Sequence, residues 1–175
     1  MLLKHFLLKH LKKPRLTLTG RKIYSYDLIQ LVYNIALSSA KSKWERITRM
    51  ITFVLKSWIF DEYYEATNED ELSSVLQLFK QYIEENNVHY TIDNFDCDDY
   101  ACAFKSFFTM KKNKNSVGIA IGALYKGNIL LGYHAWNICV TNDMRILFIE
   151  PQTFDVFTPP VSSDDFYYDL MAIIW

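Results

Sequence analysis

The sequence has almost no surplus of charge: 19 Lys and Arg stand against 20 Asp and Glu, leaving a formal −1 at neutral pH. Bulk attraction to a nucleic acid is therefore excluded, because binding a polyanion draws on excess cations. Long apolar runs are also missing. The most apolar stretch, residues 47–60, is broken by Arg49 and Lys56 and falls short of the ~20 residues that a membrane-spanning helix requires. Lysines and histidines interrupt the first apolar residues, so the start does not read as a secretory leader. Cysteine is scarce and odd in number, at 3, which excludes a fully paired disulfide framework. Free thiols fit a reducing, intracellular (cytoplasmic) setting. Internal repeats and low-complexity tracts are absent.

What is present suits a globular chain. Its 175 residues, 50% hydrophobic, are enough to bury a core and are read as one domain over 1–175. Residues 1–22 hold only cations among their charges, whereas residues 61–100 are strongly acidic. Residues 2–13 form an amphipathic pattern, with Leu3, Phe6, Leu7 and Leu11 on one side and lysines around it, ended by Pro14. A basic amphipathic segment is able to make peripheral contact with an anionic membrane, but the first expectation is a terminal helix docked on its own domain.

Apolar spacing then predicts helices over about 26–41, capped by Ser25, and about 44–60, with Ile47, Ile51, Val54, Leu55 and Trp58 turned to the core. A further helix runs from Asn68 to about Glu85, with Asn68 as cap and Glu71 completing a capping box. Residues 88–92 alternate like a short strand. From Val117 onward the pattern is strand-like, with turns at 126–128 and 141–143. Ser163 is able to cap a last helix, or 166–175 supplies a last strand. A mainly helical half, 1–90, followed by a half of antiparallel strands, 91–175, is an α+β arrangement.

Between those halves lies the stretch DCDDYACAFKSFF, with Cys97 among Asp96, Asp98 and Asp99 at a helix start. Unpaired amides of a helix N-terminus favour a thiolate. Downstream stand His134, in HAWN, and Glu150, in FIEPQ. A three-residue loop at 141–143 opposes residues whose numbers sum to 284, which sets His134 opposite Glu150 on one face of a hairpin. Cysteine, histidine and carboxylate in that order suit a nucleophile, a base and its orienter. The acids oppose a thiolate, and an oxygen-rich group of this kind suits a hard cation such as Ca²⁺. There is no EF-hand spacing, and no second Cys or His stands at zinc-ligand spacing from Cys97.

Over about residues 94–153 these motifs resemble the bacterial transglutaminase-like cysteine peptidases and the papain-like C-terminal domain of a fungal agglutinin, both of the papain/transglutaminase superfamily. The resemblance implies a papain/transglutaminase-like fold with Cys97 as nucleophile, His134 as base and Glu150 as orienter. It further implies Ca²⁺ held by Asp96 and Asp98, or by Asp98, Asp99 and Gln152. The sequence departs from the family in lacking a Gln-x-x-x-x-x-Cys oxyanion signature. The expectation is a thiol-dependent amide hydrolase acting on a protein or peptide. Its rivals are a transglutaminase-type acyltransferase and a non-catalytic binding or structural protein on the same fold. A small chain rich in aromatics, Lys and Asn is also compatible with a viral or phage origin.

Overall fold

The computed structural model of the chain describes residues 22–175. The segment 2–13, with Leu3, Phe6, Leu7 and Leu11, lies outside the described residues. In order come β1 (Lys22–Tyr24), α1 (Ser25–Ala36), α2 (Lys43–Lys56), β2 (Tyr63–Glu65), α3 (Glu69–Glu85) and α4 (Cys97–Lys112). The strands β3 (Val117–Lys126), β4 (Ile129–Val140), β5 (Ile146–Glu150), β6 (Asp155–Phe157) and β7 (Phe166–Ile174) follow. This is the α+β order read from the sequence. No helix among the described residues is long and apolar enough to cross a membrane.

Side-chain caps explain where three helices begin. Ser42 Oγ accepts the Glu45 amide at 3.1 Å before α2, and Asn68 Oδ1 accepts the Glu71 amide at 2.6 Å before α3. Glu71 does not close the expected box. Its carboxylate instead accepts from Thr67 Oγ1 and Lys114 Nζ, each at 2.5 Å. Helix α1 has Tyr24 at its N-cap and no side-chain cap, so Ser25 is its first residue and not its cap. It stops at Ala36, well before Lys41, because Ser38 Oγ turns back to Ile35 O and Ser39 Oγ reaches Asp169. Helix α2 stops at Lys56 because the next residues join the sheet margin. The Trp58 amide donates to Ile173 O, and the Trp175 amide to Trp58 O, both at 2.8 Å.

A five-stranded antiparallel sheet, in the order β6-β5-β4-β3-β7, separates two helical layers. Trp136, Ile138 and Val140 of β4 pack with Phe148, Tyr168, Val32 and Phe53 on the α1/α2 side. Cys139, between them in sequence, packs with Leu147, Ile149, Phe79, Phe104 and Phe108 on the α3/α4 side. Alternation along one strand thus feeds both cores, and each such side chain stabilises by ~1.5–3 kcal/mol when fully buried. The α2 stripe behaves otherwise: Ile51, Leu55 and Trp58, expected in the core, are exposed, and Phe53 faces inward.

The β4–β5 hairpin differs from the expected register. Val140 pairs with Ile146 and Ile138 with Phe148, a sum of 140 + 146 = 286 in place of 284. Thr141 causes the slip by acting as a strand residue: its amide donates to Arg145 O at 2.9 Å, and its hydroxyl accepts the Arg145 amide at 3.1 Å. The loop is therefore 142–144, with Met144 at φ 64 in the left-handed position. Residues 88–92 form no strand. Thr91 instead bridges to Phe95 around Asp93, whose φ is 60. Of the two readings of the C-terminal segment the strand holds, paired to β3 along most of its length.

Candidate functional site

His134 lies on β4 opposite Gly122 of β3. Its Nε2 is 2.6 Å from Glu150 Oε2. A slip of two residues preserves side-chain parity, so the pair forms diagonally where direct opposition was expected. Glu150 is buried, and it also accepts from Tyr168 Oη at 3.2 Å and from the Gln152 amide at 3.3 Å. The imidazole is nearly parallel to the Trp136 indole, with centroids 6.1 Å apart, and is tilted against Tyr168 at 6.0 Å. Burial, with the Glu150 charge adding to it, pushes the Tyr168 phenol far above its ordinary range. Tyr168 is therefore a fixed donor to the carboxylate.

Cys97 occupies the first residue of α4, as its sequence context predicts. Its surroundings are another matter. It packs with Ala101, Ile119 and Ala135, whereas His134, one residue earlier on β4, has its ring among Trp136 and Tyr168. Burial pushes the thiol upward, and Asp96 and Asp98 add to the rise; the Ala135 amide opposes it. Desolvation first and the two nearby acids after it thus disfavour the thiolate, against what a helix terminus supplies. Among the described residues no hydrogen bond joins Cys97 to His134. The structure brings together His134 and Glu150, and it leaves Cys97 outside that hydrogen-bonded pair.

The acids around Cys97 are in large part a capping device. Asp96 Oδ1 accepts the Asp98 amide at 3.4 Å and Asp99 Oδ2 accepts the Asp96 amide at 3.3 Å, forming a capping box. Ligand atoms of Asp96, Cys97 and Asp98 lie within 4.8 Å of one another. A hydrogen bond between the two carboxyls pushes Asp98 up and holds Asp96 down. Asp99 is committed to the cap, and Gln152 is fixed beside Glu150 by its own amide, with its side-chain Nε2 buried and unpartnered. Of the four residues expected to bind a cation, Asp96 and Asp98 converge.

A second feature escaped the sequence reading. Arg49 of α2 makes a two-pronged pair with Asp169 of β7, Nη1 to Oδ1 at 2.7 Å and Nη2 to Oδ2 at 3.0 Å. Ser39 Oγ donates to Asp169 Oδ1 at 3.0 Å, and Arg49 Nε donates to Glu45 at 3.2 Å. Asp169 raises the already high guanidinium pKa, so Arg49 is charged throughout the working range. This cluster floors a cleft with a cavity of about 270 Å³, walled by Tyr125, Tyr133, Leu130 and Leu170. It continues past Tyr167 and Asn128. An acid inside the apolar run FYYDLMAII and a Glu four residues before an Arg were the available signals.

Comparison with known proteins bears on both features. The family model described as ricin-type beta-trefoil lectin C-terminal domain matches residues 40–172. The fold is similar to that of the PSL1a-E64 complex, with TM-score 0.62 and 20% identity over 91% of this chain and 53% of that one. It is also similar to a Polyporus squamosus lectin bound to the human-type influenza-binding epitope Neu5Aca2-6Galb1-4GlcNAc, with TM-score 0.58 and 20% identity over 91% and 51% of the two chains. At that identity the likeness carries the fold alone. The chain spans about half the length of these two chains. No curated protein matches it in sequence.

Proposed function

The chain belongs to the ricin-type beta-trefoil lectin C-terminal domain family, and from that membership we propose that it is a non-catalytic, carbohydrate-binding module. Family membership overturns the expected place among papain/transglutaminase-like cysteine peptidases, and with it the thiol-hydrolase and acyltransferase activities. The reason is physical as well. Acid-Cys-acid-acid at a helix start is here a capping box, and the hydrogen bonds of the His–Glu pair tie β4, β5 and β7 together inside an aromatic cluster.

One observation carries the binding reading: the matching family model, over residues 40–172, is that of a lectin domain. The ligand in place of the expected peptide substrate is a glycan, as the name of the family suggests. Binding of the intact chain to an array of immobilised glycans tests this. Retention on a defined subset supports it, and uniform absence of binding refutes it.

A second proposal concerns Ca²⁺. Two carboxylates crowded at Asp96 and Asp98 are a donor set that a hard cation relieves, and they support an ion bound by this pair with water completing its shell. The ligand set proposed here leaves out Asp99, whose carboxylate accepts the Asp96 amide, and Gln152, whose amide donates to Glu150. The ion would order the start of α4.

A further inference from the structure

Helix α2 is apolar on two opposite sides. Phe53 is buried, and Met50 and Val54 pack partly against the core, which accounts for the inner side. On the outer side stand Trp44, Ile51 and Leu55, at steps of seven and four residues that set side chains on one stripe of a helix. Trp44 is 79% exposed and Leu55 67%. Just past the helix, Trp58 and Phe60 add two exposed rings, stacked with centroids 6.4 Å apart. Their backbone is pinned, because the Trp58 amide donates to Ile173 O at 2.8 Å and the Phe60 amide to Trp175 O at 3.1 Å. The rings are thus presented by a fixed frame and not by a loose loop. A helix that is apolar all round is normally covered. A run of large exposed apolar side chains marks a surface that meets a protein or a membrane.

Charge decides between those two. Within α2 the cations Lys43, Arg46, Arg49 and Lys56 stand against a single acid, Glu45. That acid is already taken: its carboxylate accepts from Arg49 Nε at 3.2 Å and from the Lys41 amide at 2.8 Å. Lys43, Arg46 and Lys56 are exposed. Helical geometry sets Lys43 and Lys56 roughly a third of a turn to either side of the stripe, near its two ends. Beyond Phe60 the chain turns acidic at Asp61 and Glu62, which ends the basic stretch. A second copy packed antiparallel on the stripe would bring Lys43 of one chain toward Lys56 of the other, like charge against like. An anionic bilayer has no such conflict. Indole rings settle at the boundary between headgroups and acyl chains, aliphatic side chains reach below it, and flanking lysines meet the lipid phosphates.

We propose that the outer face of α2, continued by Trp58 and Phe60, is a docking surface for an anionic lipid bilayer. The helix lies along the membrane and does not cross it, in keeping with its 14 residues. The contact needs no glycan, so vesicles without glycolipid test it apart from the carbohydrate-binding reading.

The test is co-sedimentation of the intact chain with glycolipid-free vesicles of phosphatidylcholine, with and without phosphatidylserine, together with tryptophan emission. Trp44→Ala/Leu55→Glu alters two exposed side chains, and Met110→Ala, also exposed but on α4, is the control. The expected result is capture by the phosphatidylserine vesicles at least about tenfold stronger than by phosphatidylcholine alone, with a blue shift as Trp44 and Trp58 leave water. Trp44→Ala/Leu55→Glu, at unchanged Tm, then weakens capture by about tenfold or more, and so does Lys43→Gln/Lys56→Gln, whereas Met110→Ala leaves it unchanged. Absence of capture by phosphatidylserine vesicles, with no blue shift, overturns the proposal. Capture that both double variants retain overturns it too, by placing the lipid contact elsewhere on the chain. Equal capture by the two kinds of vesicle overturns the anionic class. A dimer that forms without vesicles and is lost in Trp44→Ala/Leu55→Glu assigns this face to a second copy and overturns the membrane as its occupant.

Discussion

His134 and Glu150 form a 2.6 Å hydrogen bond across β4 and β5, although they are diagonal and not direct neighbours in the ladder. The same carboxylate oxygen takes the Tyr168 hydroxyl of β7, so one buried acid ties three strands together. Removing a donor leaves a buried acceptor short of partners, at a cost of ~1–3 kcal/mol, and more where the acceptor is charged. Tyr168→Phe should cost ~1–2 kcal/mol and lower Tm by about 2–4 °C per kcal/mol. His134→Ala should cost more, because it also removes the ring packed on Trp136. Thermal unfolding of the two variants measures both. An unchanged Tm in either would mean that the pair contributes nothing to the fold.

Alkylation should report the Cys97 thiol directly. The folded value is raised, by burial first and by Asp96 and Asp98 after it. Labelling by iodoacetamide, followed at the Cys97 peptide by mass spectrometry, should be slow at pH 6 and accelerate only above the ordinary thiol range. The linkage sign follows: a raised folded value stabilises below the unfolded thiol pKa, and that stability is lost as pH rises through the folded value. The intact chain should therefore lose more stability than Cys97→Ser does as pH rises above the ordinary thiol pKa of about 8.5. Rapid labelling at pH 6 would contradict this.

Calcium should raise Tm if Asp96 and Asp98 hold it. At ~100-fold excess over Kd the linkage stabilises by ~2.7 kcal/mol, and chelation should remove that gain. Asp98→Asn should abolish the response, whereas Asp99→Asn should weaken the helix cap and leave the calcium response in place. Identical melting of metal-stripped and calcium-loaded protein would sink the proposal.

Gly122 should not tolerate alanine. A Cβ at that position would come 2.1 Å from Asp169 O and 2.8 Å from the Trp136 ring, and the first of these is backbone that cannot swing away. The β3–β7 register shifts at this point, and Gly122 pairs with His134 on one side and with Leu170, next to Asp169, on the other. Gly122→Ala should cost ~1–3 kcal/mol or more and disturb both features. Near-wild-type stability would show that the sheet adapts here.

Much of the architecture was legible in the residues. Leu72, Val75, Leu76, Phe79 and Ile83 announce α3, and all five are buried. Asp96 and Asp99 announce the start of α4. Parity along β4 placed His134 and Glu150 on one face even though the register was off by two, because side-chain direction survives an even slip. Other features were not legible because they depend on distant partners. Thr141 looks like a turn residue until Arg145 is seen to pair with it. The α2 stripe of Ile51 and Leu55 has helical spacing, but Phe53 and Met50 take the core-facing side. Arg49 and Asp169 are 120 residues apart, and neither alone signals a cleft. The Cys, His and Glu motif was visible, but sequence spacing does not report that Cys97 packs with Ala101, Ile119 and Ala135 while the His134 ring lies by Trp136 and Tyr168.

Calorimetric titration of the intact chain and of Cys97→Ser with a glycan retained on the array tests the central claim most directly. A non-catalytic binding module should give matching isotherms, equal in affinity and stoichiometry within error, with no product released from the glycan or from added peptide. Absence of binding by the intact chain, or binding and turnover that disappear together in Cys97→Ser, would contradict it.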